Sequence, residues 1–309
     1  MNRRGGHLAI VTGKDIGRVL LWMTGALLSF TTMAVSVREL ASALNVFEML
    51  SIRSAFGLSV LLCLALLRPS LRHLLRTRRL PLHGLRNVIH FGAQVGWAQG
   101  VVLLPLATVF ALEFTTPIWV AVLAVLILGE QMTASRAGTV LLGFLGVLVI
   151  LRPGMGNFDP AALLVLGAAL GFAATSVATK ALTGTDATYT ILLYMNLFQL
   201  PLNLMFSDPL FPLKLGSEQA LPVLGMAVSG LASHYCLTNA FRSGDALIVI
   251  PLDFLRIPLI AVVGWLFYGE GLEVFVFLGA GLIVAGILWN LLAEARTTRA
   301  ARPVAAAND

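Results

Sequence analysis

The sequence predicts an all-α polytopic membrane protein of about ten transmembrane helices, arranged as two inverted five-helix repeats. Three observations lead there: a composition too apolar for water, a series of apolar runs of membrane-spanning length, and an internal correspondence at a shift of 140 positions. Of 309 residues, 58% are hydrophobic and only 12% charged, where a soluble domain carries about 25% charged residues. A water-facing surface of ordinary size is missing, so lipid is the solvent that most of the chain meets.

The apolar runs fall at 17–37, 46–67, 86–104, 106–128, 136–151, 160–182, 188–206, 220–240, 246–268 and 272–292. Most approach the roughly 20 residues that cross a hydrocarbon core of about 30 Å; the fifth is short and extends into its flanks. Lipid leaves every backbone amide to be satisfied within its own segment, so the spans are helices. Gly167 with Gly171, and Gly143 with Gly146, suit close helix contact, with packing as their expected role. Ala41-Ser42-Ala43 resembles a signal cleavage site. The preceding run, however, exceeds the 7–15 residues of a typical secretory core, and cleavage would leave nine spans. It is expected to stay as the first helix.

Basic residues orient the chain. Arg68, Arg72, Arg76, Arg78, Arg79 and Arg86 share one side with Arg3, Arg4, Lys14 and Arg18 at the start and Arg296, Arg299 and Arg302 at the end. The opposite loops hold Arg38, Arg152 and Lys214. By the positive-inside rule both termini are cytoplasmic, and the protein is a multi-pass protein of the cytoplasmic (inner) membrane. The net charge of +6 is then a topology signal, with no nucleic acid expected as a partner. Cys63 and Cys236 lie inside apolar runs, without metal spacing or a disulfide framework.

The fourth span reads Leu112-Glu113-Phe114, then Ala121-Val122, and ends at Gly129-Glu130; the ninth reads Leu252-Asp253-Phe254, then Ala261-Val262, and ends at Gly269-Glu270. Gly146 falls on Gly286 under the same shift. Leu, Ala and Val coincidences are cheap in a membrane protein, whereas aligned carboxylates and paired Gly-Glu steps are not. The units are expected over 1–155 and 156–295, followed by a tail at 296–309. Five spans per unit turn the second upside down relative to the first. That is the plan of many secondary transporters, which bind near the midplane between halves.

At these residues the chain resembles the drug/metabolite transporter superfamily, specifically its EamA-like ten-helix branch. The likeness is carried by Leu104-Pro105-Leu106-Ala107, Phe114-Thr115-Thr116-Pro117, Leu128-Gly129-Glu130, Gly143-Phe144-Leu145-Gly146-Val147 and Arg152-Pro153-Gly154. The second half adds Pro251-Leu252-Asp253-Phe254-Leu255-Arg256, Gly264-Trp265 and Tyr268-Gly269-Glu270. Ile52-Arg53-Ser54 and the Asp253–Arg256 stretch are similar to a branch that includes riboflavin and S-adenosylmethionine carriers. The resemblance implies a midplane cavity lined by the first, third, fourth, sixth, eighth and ninth helices. It fixes neither substrate nor direction, since relatives export amino acids, metallophores or toxic compounds.

Ionisable groups inside a membrane cost about 2.5–3.5 kcal/mol each at a helix centre, so those present mark candidate pathway residues. Glu113 and Asp253 each sit seven residues from an end of their spans, roughly 10 Å deep from opposite faces. Glu113 is expected to line the route and to contact a cationic part of the substrate or take a proton; a Glu that only ties helices together is the alternative. Arg256, three residues after Asp253, can pair with it on one helix face or hold an anionic group of the substrate. Arg53 raises the same possibility, with Glu48 five residues away and poorly aligned to neutralise it. Lys180 is expected to snorkel to the cytoplasmic edge.

Helical spacing puts His90, Gln94 and Trp97 on one face of the third helix and Asn196, Gln199 and Asn203 on one face of the seventh. Ser29, Thr32 and Ser36 form a weaker stripe on the first; His234 and Thr238 on the eighth could join them. Trp97 could stack on a ring-bearing ligand or simply pack. Pro117, Pro251 and Pro258 fall in the repeat-related fourth and ninth helices, where each bends the helix and frees carbonyls.

A membrane-embedded enzyme is the first competing class. The chain has no His-Glu-x-x-His motif, and its five histidines lack ligand spacing; no metal or cofactor is expected. A channel is the second, separable by saturable exchange flux. No Gly-x-x-x-x-Gly-Lys-Ser/Thr loop is present, so energy comes from a gradient, exchange or a partner chain. The expected activity is secondary transport of a small organic metabolite by alternating access, with the lipid bilayer and the substrate as partners and a homo-oligomer left open.

Overall fold

The computed structural model describes residues 13–128, 132–152, 159–243, 249 and 252–300. Regular structure among them is helical: α1 (Gly13–Leu40), α2 (Val46–Leu67), α3 (Leu80–Leu103), α4 (Leu106–Glu113), α5 (Thr116–Leu128), α6 (Ala134–Leu151), α7 (Ala161–Thr183), α8 (Thr188–Leu204), α9 (Ala220–Ser243), α10 (Arg256–Tyr268) and α11 (Val274–Ala300), with short 3-10 turns between. Among the described residues six stretches are long and apolar enough to cross a membrane, at Gly17–Leu40, Val46–Leu67, Ala134–Leu151, Ala161–Thr179, Ser217–Leu237 and Val274–Ala293. Leu66, Leu67, Leu126, Phe144 and Phe267 are exposed on the outside of the bundle, an arrangement that only lipid tolerates. The chain is a polytopic membrane protein of about ten passes.

Two passes depart from the continuous helices expected at 106–128 and 246–268. The fourth is broken between α4 and α5, and the ninth between Leu252 and α10. The breaks are congruent: Thr115 N–H donates to Leu112 O at 3.0 Å, and Leu255 N–H to Leu252 O at 3.1 Å. Proline is the physical cause. Pro117 has no N–H to offer the carbonyl of Glu113, four residues back. The Thr116 hydroxyl donates to that carbonyl instead, at 2.7 Å. Pro258 leaves Phe254 O in the same position, and Ile257 N–H takes it at 3.1 Å. Pro251 lies outside the described residues. Thr116→Val, which keeps shape and removes the donor, is expected to cost about 1–3 kcal/mol by orphaning a semi-buried carbonyl. Chemical unfolding in detergent measures it, and a loss below about 0.5 kcal/mol would mean that another donor serves Glu113 O.

Helix pairing reveals the symmetry. α1 packs on α9, α3 on α7, α2 on α8, α4 on α10 and α6 on α11. Exchanging the first five passes for the last five turns the α1–α9 contact into the α7–α3 contact and maps the others onto themselves. That is the mark of an isologous, two-fold interface. Individual atoms obey it: a Cβ on Gly146 would fall 2.6 Å from Gly279 O, while in the mirrored pair Thr139 donates its hydroxyl to Gly286 O at 2.7 Å. Residues 146 and 286, like 139 and 279, are repeat equivalents. Phe114 and Phe254, also equivalents, meet with ring centroids 4.8 Å apart. An odd number of passes per unit makes the two-fold an inversion of membrane orientation.

Backbone closeness along α6 and α11 needs glycine. Gly146→Ala is expected to force these helices apart at a cost of about 1–3 kcal/mol, read as a lowered unfolding midpoint; an unchanged midpoint would refute the tight crossing. Gly143 meets the Ile118 side chain and Gly171 meets Ala93, but Gly167 has nothing within 4 Å of a built Cβ, so it makes none of the close helix contact expected of it.

Candidate functional site

The two breaks place their flanking side chains at the seam between the units. Arg256, on the first turn of α10, is 3% exposed and is held by both carboxylates. Its Nη2 donates to Asp253 Oδ1 and Oδ2, at 2.6 Å each. Its Nη1 donates to Glu113 Oε1 at 3.2 Å, across the seam. Glu113 Oε2 accepts a hydrogen bond from Trp97 Nε1 at 2.7 Å. Aromatic faces surround the guanidinium, with Phe30 at 3.9 Å from its central carbon, Phe114 at 5.1 Å and Phe110 at 5.7 Å. One guanidinium between two carboxylates leaves the cluster one formal negative charge in excess.

One turn along α1 and α3 lies a second cluster. Arg53 donates from Nη2 to Gln94 Oε1, and Gln94 Nε2 donates to Gln199 Oε1. Gln199 Nε2 donates in turn to Asn87 O at 2.8 Å. Met33 Sδ lies 3.9 Å from Arg53 Nη1. His90, one turn before Gln94, is 7% exposed and packs its ring on Phe172, centroids 5.8 Å apart; neither ring nitrogen has a hydrogen-bond partner. His234 stands edge-on to Phe30 at 6.4 Å. Asn196 faces α2 at Gly57 and donates to its own helix at Leu192 O, at 2.9 Å. Asn203 likewise donates to Gln199 O at 2.8 Å. Nothing is described of the side chains of Lys180 and Thr238.

Arg256 thus pairs with Asp253, as the spacing suggested, and also with Glu113, which the sequence put in a different repeat. Four features escaped the sequence reading. The third helix begins at Leu80, so Arg86 is not a loop charge but a buried residue that donates to Asn87 Oδ1 at 2.8 Å and to Thr179 Oγ1 at 3.1 Å. His83 is fully buried, with Nε2 3.7 Å from Asp186 Oδ2. The second and seventh passes, absent from the helices that the resemblance implied, reach the centre through Arg53 and Gln199, which were themselves candidates from the sequence.

The fourth feature is a set of ion pairs between the units at one end. At the end where α1 and α3 finish, Arg38 donates to Glu270 Oε1 at 2.8 Å, to Val101 O at 2.7 Å and to Leu104 O at 2.6 Å. Glu270 Oε2 accepts from Leu106 N at 2.8 Å. Gly269, at φ +63°, ends α10 in the left-handed conformation that glycine adopts without strain, and this turns Glu270 inward. Tyr268 donates to Glu39 at 2.7 Å. Two more pairs bridge the units at this end, Arg152 with Glu273 and Lys214 with Glu48, the latter at 2.7 Å. Lys214 also contacts Asp208 at 3.1 Å. The Leu210 amide, with Lys214 second, holds the Asp208 carboxyl below its usual range. At the opposite end the described inter-unit contacts of charged groups are Arg86–Thr179 and His83–Asp186.

Comparison with known proteins places this architecture. The model of the EamA-like transporter family matches residues 17–152 and again 159–292. A riboflavin transporter of Rhizobium johnstonii is 30% identical over 281 residues, covering 90% of this chain and 92% of its own. An S-adenosylmethionine uptake transporter of Rickettsia felis is 25% identical, covering 88% and 92%. The pseudopaline exporter CntI of Pseudomonas aeruginosa is 30% identical, covering 84% and 91%. One solved crystal structure shares the fold with a TM-score of 0.59 at 20% identity, covering 91% of this chain and 99% of that one. The chain belongs to the EamA-like transporter family and is a membrane-embedded transporter of small metabolites.

Proposed function

We propose that the protein is a secondary carrier of the cytoplasmic membrane, with both termini inside, that moves a ring-bearing vitamin, nucleoside-like metabolite or amino-acid derivative by alternating access. Residues 1–155 and 156–295 form the two rocking units, and 296–309 a cytoplasmic tail. Glu113, Asp253 and Arg256 with Arg53, His90, Gln94, Trp97, Gln199 and His234 form the substrate chamber. Asn196 serves it from behind by packing α8 on α2. Pro117 and Pro258 keep the fourth and ninth passes broken at chamber depth; Pro251, outside the described residues, is kept as a further candidate kink.

The observation that carries this reading is the Glu113–Arg256–Asp253 cluster at the seam, below an end sealed by inter-unit ion pairs. Charges placed in lipid are costly. They are retained here where two inverted units meet, which is where a carrier binds its cargo. Trp97, Phe30 and Phe110 give the cluster an aromatic surround, and the relatives named for riboflavin and S-adenosylmethionine support a ring-bearing cargo. The basic stretch 68–79 serves topology, with no nucleic acid as partner.

The test is flux in proteoliposomes holding the purified full-length chain. Labelled riboflavin, S-adenosylmethionine, nucleosides and amino acids are offered from either side. Saturable uptake accelerated by unlabelled substrate on the far side is the expected result. Flux linear in concentration would make it a channel, and turnover without translocation an enzyme. A relative that exports pseudopaline favours a second reading, efflux of an amino-acid derivative, which the same vesicles separate by direction.

A further inference from the structure

Arg53 is half-buried at membrane depth, and its hydrogen-bond partners are the Gln94 amide oxygen and the Met33 sulfur. Among the described residues no carboxylate lies within ion-pair distance of it. Its position is nonetheless built. A Cβ on Gly230 of α9 would lie 2.6 Å from Arg53 Cγ and 2.7 Å from Cδ, so α9 lacks a side chain where the Arg53 stem passes. The Gln94–Gln199–Asn87 relay then fixes the guanidinium with neutral oxygens only. Neutral acceptors orient a cation without cancelling it. Beside the relay, on the same face of α3, His90 keeps both ring nitrogens without partners.

The missing counter-charge is found one turn away. Arg256, Glu113 and Asp253 carry one negative charge too many and Arg53 one positive charge too many, so these two clusters are of opposite sign and are held apart. Separating unlike charges in a medium of low dielectric is expensive. Folding alone would be served better by letting them meet.

We propose that Arg53 anchors an anionic oxygen group, carboxylate or phosphate, of the transported metabolite, whose cationic or donor end lies toward Glu113 and Asp253. This rests on the carrier reading and sharpens it: the cargo is dipolar. A guanidinium presents a planar fork of donors matched to such oxygens, and His90 supplies a further polar edge.

The experiment uses the purified full-length chain in lipid nanodiscs and three probes of one shape: benzoate, benzamide and benzylammonium. Thermal unfolding is followed against the concentration of each. Benzoate is expected to bind the wild-type protein at least fivefold more tightly than benzamide. Arg53→Gln is expected to remove that preference while leaving benzylammonium binding within twofold. Because loss of the charge could disturb folding, Gln94→Glu is the second variant. It sets a carboxylate of equal size on the guanidinium, so it is expected to unfold at a higher temperature and yet lose the preference for benzoate. Equal binding of benzoate and benzamide by the wild type would overturn the proposal, as would a preference that survives in Gln94→Glu. Proteoliposomes that carry nothing while the benzoate preference stands would defeat the carrier reading alone; flux without the preference would defeat the anchor alone.

Discussion

Arg256→Met is expected to abolish transport and to destabilise the protein by about 3–5 kcal/mol, the cost of leaving buried charge uncompensated. The side chain is 4% exposed and touches both Glu113, 19% exposed, and Asp253, 17% exposed. Without it, two carboxylates face each other among Phe30, Phe110 and Phe114, with Trp97 as the donor left to Glu113. A methionine fills the space and supplies no charge. The check separates stability from function: in the triple variant Glu113→Gln, Asp253→Asn, Arg256→Met no charge remains to be compensated. Its unfolding midpoint is expected to return most of the way to wild type, while uptake stays lost. Were Arg256→Met as stable as the parent, the cluster would be better solvated than its burial implies. A triple variant that transports would show that the charges hold helices and do not meet cargo.

Glu270→Arg is expected to open the sealed end. The Glu270 carboxylate joins the end of α1, through Arg38, to the start of α4, through Leu106 N. Arginine in its place loses both contacts and sets two guanidinium groups against each other. If the lost pair and the new repulsion together are worth about 3 kcal/mol, the balance of closed and open states shifts by roughly two orders of magnitude. Val101, fully buried at this end, reports it. In a background with Cys63 and Cys236 replaced by serine, Val101→Cys is expected to react slowly with a membrane-impermeant maleimide in the parent and at least tenfold faster with Glu270→Arg. Combining Arg38→Glu with Glu270→Arg restores the pair with its sign reversed and should slow the reaction again. An unchanged rate in Glu270→Arg would mean that Arg152–Glu273 and Lys214–Glu48 close the end without it.

Fold and site were legible to different depths. The passes could be read because a membrane helix reports its environment locally, in about 20 successive side chains. The repeat could be read because Gly-Glu steps and carboxylates seldom recur by chance at a fixed shift. The breaks at Thr115 and Leu255 were less visible. Pro117 and Pro258 signalled a bend, but the Thr116 hydroxyl that takes over the freed carbonyl appears only with coordinates. Gly167 shows the converse: small residues suit close packing wherever they occur, yet only some face a neighbour. Arg38 read as a sparse loop charge and Glu270 as a repeat marker, and nothing across a separation of 232 positions tells that they meet.

By itself the sequence determined an all-helical membrane protein of two related halves, and which polar side chains lie at membrane depth. Both follow from periodicity and transfer energy, which act over one or two turns. Tertiary structure decided which of those charges meet: Arg256 gains a carboxylate from each unit, Arg53 gains none among the described residues, and Glu270 reaches across to Arg38. The reason is that a helix fixes the neighbours at three and four residues, whereas partners on other helices depend on how the two inverted units dock.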